Sequence, residues 1–181
     1  MNLLALLRRK ESAVVDRWLD ETLTTYPADT QRFLREQKNT FSNPVGSTFR
    51  KELASLYAAL LSGGDSSSLA AILDPVVRIR AIQDFSPGQA IGFVFLLKDV
   101  IRNTFEKEIL EFSLYSELLS LESQIDDLAL LAFDVYMKCR ERLYEIRSRE
   151  AKNHVSGLLK KAGLVTEIPE SCASSRDNVV R

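Results

Sequence analysis

The sequence predicts an all-α protein that ends in a long helix, and three observations lead to this prediction. The chain has 181 residues with only seven glycines and five prolines. Residues that favour strands are outnumbered by Leu, Ala, Glu, Arg and Ser, which favours helices. Apolar residues recur at helical spacing in several segments. Helix starts are marked by a capping residue followed by proline, as in Asn43-Pro44 and Ser86-Pro87.

The first half of the chain predicts three helices. Apolar residues at helical spacing extend over residues 3–23, which predicts one helix that ends near Tyr26-Pro27. A shorter helix is predicted over residues 29–37. The third begins at Asn43-Pro44 and carries apolar residues on one face until Ser62-Gly63-Gly64 ends it.

The middle of the chain is divided by prolines. Asp74-Pro75 has the form of a helix start, so a short helix over residues 69–73 and a second one that begins at Asp74-Pro75 are predicted rather than one long helix. Ser86-Pro87-Gly88-Gln89 has the residues of a capping box, with proline at the first helical position. The helix that it opens is apolar all round through residue 97, and we expect it in the centre of the domain.

The last predicted helix extends from about residue 113 past residue 147 and is apolar on two adjoining sides. One row alternates spacings of three and four, as in a heptad seam: Leu118, Leu121, Ile125, Leu128, Ala132, Val135 and Cys139. A second row flanks it: Leu119, Leu130, Phe133 and Met137. One helix that buries two sides needs two partners, and we expect these to be its own domain and a second subunit. The candidate dimer interface is Leu121, Leu128, Val135 and Cys139.

Composition limits the classes of partner and the compartment. Lys and Arg number 24 against 25 Asp and Glu, so no net charge favours nucleic acid or an anionic membrane. No apolar stretch approaches the ~18 residues of a membrane span. The two cysteines, Cys139 and Cys172, suggest no disulfide framework, and we expect a cytoplasmic protein. We predict a domain over residues 1–147, a helical linker-like extension over 148–164 and a disordered tail over 165–181.

The sequence contains no recognisable set of catalytic residues. His154, the only histidine, lies in the charged extension, which leaves almost nothing from which to build a general base, a triad or a histidine-rich metal site. Ser62-Gly63-Gly64-Asp65 lacks the lysine and the preceding strand of a phosphate-binding loop. We expect neither an enzyme, nor a metal site, nor a bound cofactor.

Four polar residues beside the apolar central helix are the candidate ligand- or partner-binding residues: Arg80, Gln83, Lys98 and Arg102. Lys98 and Arg102 are one helical turn apart and repel each other unless a carboxylate or an anion lies between them. The functional interpretation is a site for a small anionic ligand or a docking partner. The alternative is solvated or locally paired surface charge.

Two segments carry a resemblance to a known family. Residues 74–90 and their continuation through Phe93-Val94-Phe95-Leu96-Leu97-Lys98 resemble the signature of the RsbRD N-terminal domain family. Phe41-Ser42-Asn43-Pro44-Val45-Gly46 is similar to a second motif of that family. The resemblance covers about residues 1–160. It implies a globin-like fold without haem, a dimer, and, in the relatives, fusion to an output such as a STAS domain or a histidine kinase.

The leading hypothesis is therefore a haem-free, globin-like sensor module of stressosome-type signalling that acts as a homodimer on a separate signalling protein. A haem-binding oxygen or redox sensor is the first alternative, and it would need an iron ligand on a core helix. A pure protein-protein adaptor is the second alternative.

Overall fold

The structure is a computed structural model, and it describes residues 2–36, 43–83 and 85–163, apart from the side chain of Glu36. In these residues the regular structure is helical throughout, with no strand, which confirms the all-α prediction. Their eight helices are α1 (Leu3–Arg9), α2 (Glu11–Leu23), α3 (Ala28–Glu36), α4 (Pro44–Ser62), α5 (Ser66–Ile82), α6 (Pro87–Ile91), α7 (Phe93–Glu111) and α8 (Tyr115–Lys161). The predicted tail, residues 165–181, lies outside the described residues.

The chain forms two units, and the hydrophobic core belongs to the first. One unit extends to Arg140 and the second begins at Glu141. The buried apolar residues run from Leu3 to Tyr136, so every one of them lies in the first unit. None of the described helices is long and apolar enough to cross a membrane.

The predicted first helix is divided at Lys10, whose backbone (φ −109°, ψ 22°) is not helical. Asn2 caps α1 by accepting a hydrogen bond from the backbone N–H of Ala5 at 2.9 Å. The Lys10 ammonium donates to Glu108 of α7 at 2.8 Å and lies 5.0 Å from the centre of the Phe105 ring. These contacts to α7 hold the backbone at the break, which helical periodicity alone did not reveal.

Both ends of α4 form as predicted. The Asn43 side chain accepts from the Gly46 N–H at 2.8 Å and donates to the Leu34 carbonyl at 2.9 Å, so one buried amide caps α4 and holds the end of α3. A Cβ at Gly46 would overlap the Asn43 side chain. At the other end Gly63 has φ 73°, and the Gly64 N–H bonds to the Ala59 carbonyl at 2.9 Å.

The prediction of two short helices on either side of Pro75 is wrong, because α5 is a single helix with Pro75 inside it. Its cap is Asp65, which accepts from the backbone N–H groups of Ser67 and Ser68. An interior proline costs about 3 kcal/mol in helix propensity. Leu73, Val76 and Val77 are each at most 1% exposed, and their burial on either side of the proline offsets that cost.

The capping box at Ser86 is confirmed, but it opens only the five-residue α6. The Ser86 hydroxyl accepts from the Gln89 N–H, and the Gln89 side chain accepts from the Ser86 N–H. Gly92 then separates α6 from α7. The indole of Trp18 donates to the Phe93 carbonyl at 2.7 Å, which fixes the start of α7 to α2 in the core.

Helix α8 follows Ser113, a residue with φ 54°, and extends for 47 residues. One of the two predicted apolar rows, the seam, lies on the buried side of α8. Its buried residues are Leu118, Leu121, Ile125, Leu128, Ala132 and Val135. Beyond Arg140 every described residue of the second unit is exposed or half-buried.

Candidate functional site

Arg80 is the one arginine among the described residues whose side chain is completely buried. It lies near the end of α5 and points into the space between α5, α6 and the end of α2. Its Nη2 donates to the Thr25 hydroxyl at 3.0 Å and to the Gln89 carbonyl at 2.9 Å. These two bonds use both hydrogens of one of the two terminal nitrogens.

Three aromatic rings surround the guanidinium, and we call this arrangement the Arg80 box. The guanidinium carbon lies 4.3 Å from the centre of the Phe85 ring, 5.2 Å from that of Tyr26 and 5.8 Å from that of Phe93. Each ring face attracts the cation, and such contacts are strongest where water is excluded. The box therefore replaces part of the hydration that Arg80 loses on burial.

Two of the Arg80 nitrogens have no hydrogen-bond acceptor among the described residues. Nε and Nη1 are buried, and no hydrogen-bond acceptor among the described residues lies in bonding geometry with either. They carry three N–H groups between them. No described carboxylate lies within ion-pair distance of the guanidinium. The box thus holds a buried positive charge in a mostly aromatic environment, with three N–H groups that have no acceptor in the described part of the chain.

The titration behaviour of the box follows from its burial. Burial lowers the pKa of the Arg80 guanidinium, and the interaction with the Tyr26 phenol opposes this effect. Burial likewise raises the pKa of Tyr26, while the positive charge of Arg80 acts in the other direction. The usual pKa of an arginine side chain lies so far above neutral pH that Arg80 stays protonated at neutral pH despite this lowering.

Residues after α5 are hydrogen-bonded to the segment between α2 and α3 and to α8. The Tyr26 hydroxyl donates to the Gln83 side chain at 2.9 Å, and the Tyr136 hydroxyl of α8 donates to the Phe85 carbonyl at 3.0 Å. Arg140 of α8 also donates to the Ala81 carbonyl at the end of α5. Phe85 therefore contacts the buried cation with its ring and α8 with its backbone.

The four predicted ligand-binding residues do not form one site. Arg80 lies in the box, and Gln83 is hydrogen-bonded to Tyr26 of the box. Lys98 instead donates to Asp126 at 2.6 Å, and Arg102 forms two bonds to the Glu122 carboxylate at 2.6 and 2.8 Å. A carboxylate thus faces each of these two cations, and both ion pairs join α7 to α8.

The structure separates the two apolar rows of α8. Of the predicted interface residues, Leu121, Leu128 and Val135 are at most 8% exposed in the protomer's own core, and Cys139 is half-buried. The second row is exposed to solvent: Leu119 by 66%, Leu130 by 67%, and Phe133 and Met137 by 39% each. We call these four residues the outer row. The subunit's own core covers the seam, so of the two apolar rows of α8 the outer row is the one that stays exposed.

The sequence pattern points to Arg80 but not to the residues that form its environment. Phe85 lies five positions after Arg80, within the segment that carries the family resemblance. An aromatic residue so close to this arginine was the sequence signal that could have identified it as part of the site. Tyr26 and Tyr136 lie more than 50 residues away in sequence, and no local pattern pairs them with Arg80. In the described part of the chain, no group of three or more His, Cys, Asp or Glu residues could hold a metal ion.

Comparison with known proteins places most of the chain in one family. Residues 12–151 match the family described as RsbT co-antagonist protein rsbRD N-terminal domain. A protein of Archaeoglobus fulgidus, described as an uncharacterized protein, is 28% identical over 143 residues, which cover 76% of this chain and 82% of that protein. No solved structure matches the chain.

Proposed function

The chain belongs to the family of the RsbT co-antagonist protein rsbRD N-terminal domain, and we propose that it is a dimeric, non-enzymatic sensor module that signals to a separate protein. The family supports a signalling role connected with the stressosome. The dimer, the separate partner, the globin-like ancestry and the cytoplasmic location are parts of the proposal. The observation that carries the dimer is the outer row of α8.

The outer row has the composition of a surface that a partner protein buries. Its four side chains lie within one stripe of the helix. The spacings between positions 119, 130, 133 and 137 are each close to a whole number of helical turns. Phe95 of α7, 43% exposed, borders the stripe, since Lys98 contacts both the Phe95 ring and Asp126. Burying a large apolar side chain contributes about 1.5–3 kcal/mol, so a partner that covers this surface gains several such contributions.

The charges of this surface favour a second copy of the chain as the partner. A two-fold interface places one patch against itself, so an unpaired charge would meet its like. Here Lys98 is neutralised by Asp126, and Arg102 by Glu122, within the same subunit. The surface therefore presents apolar side chains and balanced charge to an identical surface, as the α7 and α8 helices of two subunits require to form a four-helix bundle.

The second unit supports the proposal of a separate signalling partner. Residues 141–161 continue α8 as a charged helix with exposed apolar side chains: Tyr144, Ile146, Val155, Leu158 and Leu159. A helix of this kind offers i, i+3 and i+4 apolar contacts to another helix. We propose that the partner protein engages this segment.

The proposed module does not bind haem. A haem iron needs an axial ligand on a core helix, and the sole histidine of the sequence, His154, is exposed in the second unit. Titration of the purified protein with haemin is expected to give no Soret band characteristic of a ligated iron. A sharp band with one-to-one stoichiometry would support the haem-sensor alternative instead.

The mass of the protein in solution tests the proposed function. Light scattering coupled to size-exclusion chromatography at micromolar concentration is expected to give twice the 20.4 kDa of one chain. A mass of one chain at every concentration up to about 100 μM would contradict the dimer, because an interface of four large apolar residues per subunit is expected to bind more tightly than that.

A further inference from the structure

We propose that the Arg80 box is the input site of the module and that it binds a small carboxylate monoanion, which enters when the Phe85 ring moves aside. This inference rests on the proposed sensor function. Four observations carry it: the N–H groups of Arg80 without an acceptor in the described part of the chain, the unbalanced charge, the position of Phe85 and the bond from Phe85 to α8.

These N–H groups and the charge define the ligand. Nε and Nη1 carry three N–H groups without an acceptor among the described residues, and these groups are the ones that bind carboxylate oxygens in proteins. A buried cation without a counter-ion is strongly unfavourable unless one is supplied. One monoanion balances the single charge of Arg80, whereas a dianion such as hydrogen phosphate would leave one negative charge buried among three aromatic rings.

The position of Phe85 defines the entrance. Of the three rings around the guanidinium, Tyr26 is 6% exposed and Phe93 is 0% exposed, while Phe85 is partly exposed. Phe85 also lies between α5 and α6, outside either helix, so its ring can move without disrupting helical hydrogen bonds. The ligand must be small, because it replaces at most the volume of that ring. Acetate and its near homologues meet this limit.

The bond from Phe85 to α8 provides a route for the signal. The Phe85 carbonyl accepts the Tyr136 hydroxyl at 3.0 Å, and Tyr136 is adjacent on α8 to Met137 of the outer row. If the backbone of Phe85 shifts together with its ring, it changes a contact that fixes the position of α8 at the proposed dimer surface. By reciprocity, a ligand that changes this position alters the dimer affinity, and the dimer alters the ligand affinity by the same factor.

Fluorescence of Trp18 measures binding directly. Trp18 is the only tryptophan, and its ring stacks on Phe93, a wall of the box, at 6.3 Å between centres. Sodium acetate is titrated into the full chain at constant ionic strength, with sodium chloride as the matched control. We expect a saturable change with half-saturation at about 1 mM, as suits a ligand of four non-hydrogen atoms, and none with chloride. The absence of a saturable acetate response in the wild-type protein would overturn the proposal.

Two variants identify the binding group. Arg80→Met, which removes the charge and keeps the length, is expected to fold with an equal or higher Tm and to lose the acetate response. Phe85→Ala is expected to keep the response with tighter half-saturation, because the entrance is open. This second variant decides the question even if Arg80→Met fails to fold. An acetate response that persists in folded Arg80→Met would place the binding elsewhere and overturn the proposal.

Asp84→Asn distinguishes a free carboxylate from one of the chain's own. Asp84 follows Arg80 by four positions and lies outside the described residues. We expect the variant to respond to acetate as the wild-type protein does. A response that appears only in Asp84→Asn would mean that the protein supplies its own anion, and the proposal would be wrong.

The coupling to α8 is tested separately from binding. Saturating acetate is expected to shift the dimer dissociation constant of the wild-type protein by about fivefold or more. Tyr136→Phe, which removes the donor to Phe85, is expected to keep the fluorescence response and lose this shift. Binding without any shift in the wild-type protein would contradict the input role and favour a pure adaptor. Because the fluorescence titration needs no dimer, its outcome is independent of the proposed function.

Discussion

Leu128 and Leu130 lie two positions apart on α8, yet the first is 2% exposed and the second 67% exposed. Two positions on a helix differ by about 200°, so the two side chains point to opposite sides. The core of the subunit covers Leu128, and nothing in the described first unit covers Leu130. This difference separates what α8 contributes to folding from what it contributes to assembly.

Replacing Leu128 by glutamate is expected to unfold the protein. The change removes a buried leucine and places an unpaired charge in the core, at a combined cost of about 4 kcal/mol or more. A domain of this size has about 5–15 kcal/mol of stability in total. Circular dichroism is expected to show loss of helix or a sharply lowered Tm. A variant with the wild-type Tm would mean that Leu128 lies outside the core.

Replacing Asn43 by alanine is expected to destabilise the protein by about 2–3 kcal/mol, because the buried amide loses its bonds to Gly46 and Leu34, among other contacts. The matched change Ser86→Ala removes an exposed cap and is expected to cost about 1 kcal/mol. Urea denaturation of the two variants gives the comparison. Equal costs would mean that the bond from Asn43 to Leu34 contributes nothing to stability.

The ion pair between Lys10 and Glu108 is expected to make stability depend on acid pH. The hydrogen bond from Lys10 lowers the pKa of Glu108 in the folded protein. A carboxyl group with a lowered folded pKa stabilises the protein above its unfolded pKa, and this stabilisation is lost as the pH falls through the folded pKa. Glu108→Gln is therefore expected to be less stable than the wild-type protein at pH 7.

The difference between the two proteins is expected to shrink as the pH falls from the usual range of a glutamate pKa through the lowered pKa of Glu108 in the folded protein, where the wild-type carboxyl becomes protonated. Urea midpoints at pH 7 and pH 3.5 measure this, with Glu106→Gln on the same helix as the control. A difference that stays constant across this range would show that the carboxylate does not contribute through its charge.

Local signals in the sequence predicted the helix ends well and the interruptions poorly. The helix caps at Asn43, Gly63 and Ser86 form through bonds to residues only a few positions away. The sequence alone can therefore predict them. The break at Lys10 coincides with an ion pair to Glu108 of α7, and α5 continues through Pro75 where its neighbours are buried in the core. Both places carry tertiary contacts, which can override local preference.

The candidate sites show the same division. The sequence identified two apolar rows on the last helix, but not which row the core would bury, because both have the composition of a core. It identified Arg80 as an unusual polar residue, but it grouped Arg80 with Lys98 and Arg102, which pair with carboxylates of α8. The pairing partners are more than 15 residues away along the chain, beyond the reach of a local pattern.

The most direct test of a dimer formed through the outer row is sedimentation equilibrium of Leu130→Glu beside the wild-type protein and Phe33→Glu. Phe33 is an exposed apolar residue of α3, so its substitution controls for the added charge. We predict that Leu130→Glu is a folded monomer with a Tm within a few degrees of the wild-type value, while Phe33→Glu remains a dimer. A Leu130→Glu protein that stays dimeric with the wild-type dissociation constant would contradict the account.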